Sequence, residues 1–289
     1  MGGRDMRRGA PDEEIAALYA RLDDLCRQAE KGLLVATPFL TPREAKYARQ
    51  YLSARLRAGT AALWGGYPEA ERVRAMIFPD YTEGLLPEQL TDGGGVSPSL
   101  LLREAGLDDP ADQAAEMTAA LSIYGSGYRT LSHRDYMGAV LGLGLERDTL
   151  GDILLDEEGK YALLFCTERV SRFLSENLEK VGSDTVRLRR LSPEELVIPP
   201  RRVRPVQDTV ASERLDCVVA ALCGLSREPA QALIRQGLCE LEYETVRDCD
   251  RLVEPPAVLS VRGYGKFRIL PFGGENRRGR LRLMAEKYL

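Results

Sequence analysis

The chain has 289 residues, of which 44% are hydrophobic and 29% charged, so it can bury real cores and is not wholly disordered. At about 150 residues per domain, this length allows two domains or three small ones. The formal net charge is only −4, but residues 1–184 carry −9 and residues 185–289 carry +5. This asymmetry predicts that the C-terminal part meets a polyanion.

The sequence does not indicate a membrane protein, a secreted protein or a metal-binding protein. The longest apolar run, Met137 to Leu145, has nine residues, whereas a membrane span needs about 18. Residues 1–12 lack the apolar core of a signal peptide, and we interpret them as a flexible leader. The six cysteines form no CxxC pair and His133 is the only histidine, so we expect reduced thiols, no metal, no cofactor and a cytoplasmic protein.

Two helices are predicted near the N-terminus. Apolar residues recur at helical spacing over 12–31, and Thr41 followed by Pro42 and Glu44 is typical of a second helix that runs to about Arg57. We assign these helices to a small helical domain over residues 1–59. Short strands are predicted over 60–64 and 73–79, joined by the turn GGYPEAER at 65–72, whereas 84–114 has no assignable structure.

The central part of the chain predicts the order β-α-β-β-α-β, which is the ferredoxin-like or RRM-like arrangement. We assign it to a domain over residues 60–198. A basic linker with four prolines is predicted over 192–211, and a third domain over 212–289. The predicted central elements are a strand from 117, a helix after Ser132, a strand over 148–156, a turn over 157–160, a strand over 161–167, a helix over 167–182 and a strand over 184–191.

The third domain carries the functional signal. Two short helices, over 212–224 and from Ser226 to Gly237, are followed by three short strands. The N-terminus of the second helix offers free N–H groups at Ser226 and Arg227, and Arg227 adds a planar cation for phosphate. Arg235 lies two turns further on, close to the same face. We expect Asp216 to orient Arg214 or another cation and not to touch phosphate.

Residues 212–268 resemble the S4 domain, a small RNA-binding module, here in its αL-type form. The resemblance rests on RLDxxVA, GLSRxxAxxLIxxGxxxL, VxDxDxxV and LSVRGxGKF in the correct order. Leu241-Glu242 and Pro256-Ala257 depart from the usual pattern, and an acid at 242 would repel phosphate. The implied RNA-binding residues are Arg214, Asp216, Ser226, Arg227, Ala230, Gln231, Arg235, Gln236, Gly237, Leu241, Lys266 and Arg268.

With GGYPEAER and residues 132–154 included, the chain resembles the YlmH-like family of bacterial and plastid proteins. The resemblance implies a non-enzymatic protein that binds structured RNA, either rRNA or tRNA, on the large ribosomal subunit and rescues stalled ribosomes. We expect a secondary RNA patch at His133, Arg134 and Arg147. Two alternatives stay open, namely an RNA-modifying enzyme of the S4-containing pseudouridine synthase type and a protein-interaction adaptor. The fold class expected is α+β.

Overall fold

The computed structural model describes residues 13–57, 59–80, 118–156 and 159–289. The chain divides into two compact units, Met1–Pro199 and Pro200–Leu289. The predicted leader, the unassigned stretch 84–114 and the first two residues of the turn 157–160 lie outside the described residues. Helices and antiparallel sheets occur in both units, which confirms the predicted α+β class.

The N-terminal helices share their core with a sheet. Thr41 and Glu44 form the predicted capping box, in which the Thr41 N–H donates to the Glu44 carboxylate at 2.7 Å. The helices bury their apolar faces against strands from residues 61–77, so this core has members on both sides of the predicted boundary between residues 59 and 60. The elements are helix α1 (Glu13–Ala29), strand β1 (Val35–Ala36), helix α2 (Pro42–Arg55), strand β2 (Ala61–Trp64) and strand β3 (Arg74–Ile77), with sheet order β1-β3-β2.

The central elements form a four-stranded antiparallel sheet with the strand order of a ferredoxin-like fold. Its elements are β4 (Thr118–Tyr124), α3 (His133–Gly142), β5 (Leu150–Leu155), β6 (Tyr161–Thr167), α4 (Glu168–Asn177) and, after a hairpin of β7 (Lys180–Val181) and β8 (Asp184–Thr185), β9 (Arg187–Leu191). The sheet order is β5-β6-β4-β9, so the first and third strands of the motif lie at the centre. Both helices contribute apolar residues to one core with this sheet.

The second central helix ends five residues earlier than the sequence predicts. It ends at Asn177, because Leu178 adopts an extended conformation with φ −89° and ψ 93°. Gly182, which we interpreted as the stop of the helix, has φ 60° and makes the turn between β7 and β8. The apolar residues Leu178 and Val181 are buried in the central core, so tertiary packing ends the helix early.

The GGYPEAER turn is tied to the central sheet by one carboxylate. Asp152 on β5 accepts hydrogen bonds from the Tyr67 hydroxyl at 2.8 Å and from the backbone N–H groups of Glu71 at 2.7 Å and Arg72 at 3.2 Å. Arg72 in turn donates to the backbone carbonyl of Leu150 at 3.0 Å. The segment forms the predicted turn, and the Arg72 side chain serves this attachment.

The C-terminal unit pairs its first strand with its last. Strand β10 (Val203–Val210) lies antiparallel to β16 (Leu281–Tyr288) over its whole length, so the second half of the predicted linker 192–211 is part of this sheet. Pro205 is tolerated because β10 is an edge strand. Between them lie α5 (Leu215–Cys223), α6 (Arg227–Arg235), β11 (Cys239–Leu241), β12 (Glu244–Thr245), β13 (Ala257–Val261), β14 (Gly265–Ile269) and β15 (Gly273–Glu275).

One face of the C-terminal sheet is covered by the two helices. Phe267 and Ile269 on β14 lie in the same buried cluster as Val218 and Ile234 from the helices. Side chains alternate between the two faces of a strand, so the residues between them project from the opposite face. The sheet order is β10-β16-β14-β13-β11-β12, with β15 paired to β16.

Within the described ranges, no three His, Cys, Asp or Glu side chains are grouped as they would be to hold a metal ion. In the same ranges no single helix has the length and hydropathy of a membrane span. Helices α5 and α6 meet these criteria only when taken together across a bend of 113°.

Replacing Gly66 by Ala should destabilise the first unit by about 3 kcal/mol. A β-carbon at Gly66 would stand 2.2 Å from Cδ1 of Phe165, and the residue has φ +105°. Urea denaturation followed by the fluorescence of Trp64, the only tryptophan, measures the change. Gly127→Ala is the control, because Gly127 has φ +83° but nothing within 4 Å, and should cost only about 1 kcal/mol. Equal losses in the two variants would contradict the steric argument.

Candidate nucleic-acid interface

The two helices α5 and α6 are joined by a tight turn that brings their functional side chains together. Gly224 ends α5 in the left-handed conformation with φ 65° and ψ 35°, which glycine adopts without steric cost. The helix axes then bend by 113°. The first turn of α5 is already satisfied, since the N–H groups of Leu215 and Asp216 donate to the backbone carbonyls of Arg251 and Cys249. Of these two helices, α6 is therefore the one whose N-terminus faces solvent.

A completely buried carboxylate lies where the helices meet. Asp216 has no exposed surface. Its Oδ2 accepts hydrogen bonds from Gln231 Nε2 at 2.7 Å and from Arg227 Nε at 2.9 Å. Arg214 binds the same carboxylate through two nitrogens, each at 3.2 Å. One buried charge thus fixes the positions of three long side chains from both helices. We call these four residues the Asp216 cluster.

These contacts keep Asp216 ionised. Burial alone would raise the pKa of its carboxyl group. The hydrogen bonds from Arg214, Gln231 and Arg227 outweigh burial and hold the pKa well below its usual range. The carboxylate is therefore charged throughout the physiological pH range, and the ion pairs persist there.

A polar stripe along α6 continues outwards from the cluster. Arg227, Gln231 and Arg235 follow one another at intervals of four residues, which places them on one face of the helix. Arg235 Nη2 donates to Gln231 Oε1 at 3.2 Å, so the amide of Gln231 links Arg235 to Asp216. The Arg227 side chain keeps 58% of its surface exposed. Ser226 is the N-cap residue, but its hydroxyl makes no capping hydrogen bond.

Arg214 differs from the other cations of this surface. Besides Asp216 it forms an ion pair with Asp250, and only 30% of its side chain is exposed. Two carboxylates therefore neutralise its charge. Its guanidinium supports the cluster and is poorly placed to take a phosphate, whereas Arg227 and Arg235 face solvent.

Three of the predicted RNA-binding side chains lie inside the unit. Asp216 and Ala230 are fully buried and Leu241 is 8% exposed, so these side chains cannot touch a ligand. Gln236 and Gly237 end α6, with Gly237 in the left-handed region at φ 71°. Glu242 does not face the stripe as a free charge, because its carboxylate accepts a hydrogen bond from the Val258 N–H at 2.5 Å.

Lys266 and Arg268 do not join the α6 stripe. They alternate with Phe267 on β14 and so project from the sheet face opposite the helices. Lys266 Nζ lies 5.2 Å from the ring centre of Tyr288 and 5.1 Å from that of Tyr243. Arg268 is 3.9 Å from Glu286 on the neighbouring strand. The single predicted site is thus divided between two faces of the C-terminal unit.

Two arginines absent from the predicted site extend the helix-side surface. The Arg247 guanidinium lies beside the end of α6, where a β-carbon on Gly237 would be 3.2 Å from Arg247 Nη2. Arg280 donates to the Thr209 hydroxyl at 3.0 Å. Arg247 occupies a variable position of the motif VxDxDxxV. Arg280 belongs to a run of four arginines within residues 277–282. The orientation of this run depends on strand pairing and could not be inferred from spacing.

The predicted secondary patch lies at the start of α3. Ser132 and Asp135 form a capping box there, which occupies the Asp135 carboxylate. His133 and Arg134 are exposed, whereas Arg147 donates to the backbone carbonyls of Leu150 and Gly151. Desolvation of the ring by its neighbours and the charge of Arg147 lower the pKa of His133 despite its exposed surface, so the neutral imidazole is favoured at pH 7. The patch therefore presents one exposed cation, Arg134, beside a neutral ring.

The structure defines a protein with a ferredoxin-like sheet in its first unit and a cationic helix pair on a sheet in its second. The protein-family model for the N-terminal domain of YlmH matches residues 14–82, and the family model described as "Putative RNA-binding domain in YlmH" matches residues 110–195. Together they cover more than half of the chain, which belongs to the YlmH family. Both models end before the C-terminal unit, whose S4 resemblance stays a prediction.

Two known proteins are similar to the chain. "Ribosome-associated protein quality control protein P2" of Bacillus subtilis (strain 168) is 28% identical over 258 residues, which cover 89% of each protein. A solved structure titled "Cell division protein ylmH from Streptococcus pneumoniae" is 19% identical, with a TM-score of 0.46, and the match covers 65% of this chain and 98% of the other.

Replacing Asp216 by Asn should destabilise the C-terminal unit by about 3 kcal/mol at pH 7, because the arginines lose a buried partner charge. The pKa of Asp216 is depressed in the folded protein. The native protein therefore exceeds the variant in the free energy of unfolding by the full amount above about pH 4, and this difference declines as the pH falls further. Urea denaturation of both proteins between pH 7 and pH 2.5, followed by circular dichroism, measures this difference in the free energy of unfolding.

Asp250→Asn is the matched control for this experiment. Asp250 also pairs with Arg214, but 67% of its side chain is exposed, so the variant should lose less than about 1 kcal/mol. Equal destabilisation by the two substitutions would show that the burial of Asp216 is unimportant.

Proposed function

We propose that this protein is a non-enzymatic RNA-binding protein that associates with the ribosome. The observation that carries the proposal is the Asp216 cluster, in which a buried carboxylate fixes Arg227, Gln231 and, through Gln231, Arg235 before any ligand binds. The matched RNA-binding domain model and the name of the Bacillus subtilis relative support the same function. Prior ordering of the cations reduces the entropy lost on binding.

The contact is electrostatic and directed at the RNA backbone. Arg227 uses Nε for Asp216, which leaves its two terminal nitrogens facing solvent as a planar donor pair suited to phosphate. The N-terminus of α6 places backbone N–H groups and the positive end of its dipole next to Arg227. Arg235 lies two turns further along α6, so successive phosphates of one strand can meet the two arginines.

Structured RNA is the ligand that we propose, namely rRNA of the large ribosomal subunit, tRNA or both. The proposal rests on the relative, whose name places it in ribosome-associated protein quality control. A rigid pair of helices suits the fixed backbone geometry of folded RNA better than a flexible single strand. We further propose that the protein acts in the cytoplasm and takes part in the rescue of stalled ribosomes.

The residues of the C-terminal unit favour binding over catalysis. A pseudouridine synthase needs an accessible catalytic aspartate, and the sequence RLD occurs twice in the chain, at 21–23 and at 214–216. Asp23, in the first, lies on helix α1 and accepts hydrogen bonds from the Tyr51 hydroxyl at 2.7 Å and from Arg55 at 2.8 Å. Asp216 is fully buried and held by three side chains, so it cannot reach a substrate base. We therefore propose that RNA leaves this protein chemically unchanged.

Replacing Arg227 or Arg235 by Ala should weaken binding to purified tRNA and to purified large ribosomal subunits. Each loss of one phosphate contact should reduce affinity about tenfold at physiological salt and lower the slope of log K against log salt by about one. Filter binding from 50 to 300 mM potassium chloride measures the tRNA slope. Co-sedimentation through sucrose measures binding to the subunits.

Arg55→Ala is the control, because it removes one exposed arginine from α2, where Arg55 pairs with Asp23. It should leave both the affinity and the slope unchanged. Arg227→Lys tests geometry as well as charge, because Lys cannot bind Asp216 and a phosphate with one planar group. An unchanged salt slope in Arg227→Ala would rule out the proposed contact.

A further inference from the structure

A cavity of about 350 Å³ lies between strand β10, helix α5 and the turn into α6. Its lining is partly apolar and partly polar, and the apolar part includes the small side chains of Ala220 and Ala221 on α5 and Leu225 in the turn. The volume is at the lower end of the range for small-molecule sites in proteins. A flat group the size of a nucleobase fits a space of this size and polarity.

Polar groups are placed at the rim of this cavity. Arg280 is fixed there by two hydrogen bonds to Thr209, one to the hydroxyl at 3.0 Å and one to the carbonyl at 2.5 Å. Because the guanidinium is planar and immobilised, it can stack on a base or bind a phosphate. Asp208 adds a carboxylate that can accept a hydrogen bond from an exocyclic amine of a base.

The cavity and the α6 stripe share one residue. Arg227 lines the cavity and is also bound to Asp216. A phosphate held by Arg227 would therefore lie at the edge of the cavity, and the base attached to it could enter the cavity beside α5. Unpaired nucleotides in bulges and loops can turn their bases outwards in this way, whereas paired nucleotides cannot.

We propose that this cavity binds a single unpaired nucleotide, with the base against Ala220 and Ala221 and the phosphate at Arg227 and Arg280. The nucleotide is part of the bound RNA or is a free nucleoside monophosphate, since both offer the same chemistry. The RNA case rests on the proposed function. It makes the protein selective for folded RNA that carries an extruded base.

The test compares two RNA hairpins that are identical except for one bulged nucleotide. The native protein should bind the bulged hairpin about tenfold more tightly than the fully paired one. Ala221→Phe, which fills the cavity, and Arg280→Ala, which removes its rim cation, should each abolish this preference. Ala221→Phe should keep the affinity for the paired hairpin, and Arg280→Ala should lower it by no more than one phosphate contact. Circular dichroism checks that each variant is folded. Arg280→Ala keeps the test decisive if Ala221→Phe does not fold.

The controls separate the cavity from the proposed function. Arg282→Ala removes a neighbouring charge on β16 and should keep the preference for the bulge, whereas Arg227→Ala should weaken binding to both hairpins. If Arg227→Ala weakens both hairpins but neither cavity variant changes the preference, the cavity is not a nucleotide site and the proposed function stands. If Arg227→Ala has no effect on either hairpin, the proposed function fails.

Titration with AMP, GMP, CMP and UMP in the absence of RNA identifies the source of the nucleotide. Saturable binding at micromolar concentration that Ala221→Phe abolishes would assign the cavity to a free nucleotide. Binding of the bulged hairpin without such monophosphate binding would assign it to RNA. If the protein neither binds the monophosphates nor prefers the bulged hairpin, the proposal is overturned.

Discussion

A single buried negative charge organises the C-terminal surface. A carboxylate without solvent contact is costly unless several donors surround it, and Asp216 has three side-chain donors from two helices. The contacts that stabilise the carboxylate also order its partners, because they hold the long arginine and glutamine side chains in one arrangement. The ordering that RNA binding requires is therefore part of the folded state. The stability of this unit and the geometry of its surface depend on the same ion pairs.

Local features of the chain were predictable, and features that depend on register were not. The capping boxes at Thr41 and Ser132 and the helix pair around Gly224 each involve residues close together in sequence, so spacing alone indicates them. Which face Lys266 occupies depends on how β14 pairs with β13 and β16. A shift of one residue would move it to the other face, and no short motif records that register.

The GGYPEAER turn shows how a conspicuous motif can be structural. Its tyrosine and arginine suggest a binding loop, but Tyr67 donates to Asp152, a residue 85 positions away in sequence. Asp152 itself is unremarkable in the sequence, since it lies inside an apolar strand pattern. The motif and its partner make sense only together, as an attachment between two sheets of the first unit. Distant pairs of this kind cannot be found from one sequence without the fold.

The number of usable cations limits how the protein can select its RNA. The C-terminal part has an excess of five positive charges, but Arg214 is neutralised by two aspartates and Arg268 lies near Glu286 on the other face. A surface that meets few phosphates binds nonspecific RNA weakly, because each phosphate contact adds only one step of counterion release. On the proposed function, selectivity then comes from shape, namely the rigid spacing of Arg227 and Arg235 and the proposed nucleotide cavity beside them. Such a protein would ignore most cellular RNA and still recognise one folded site.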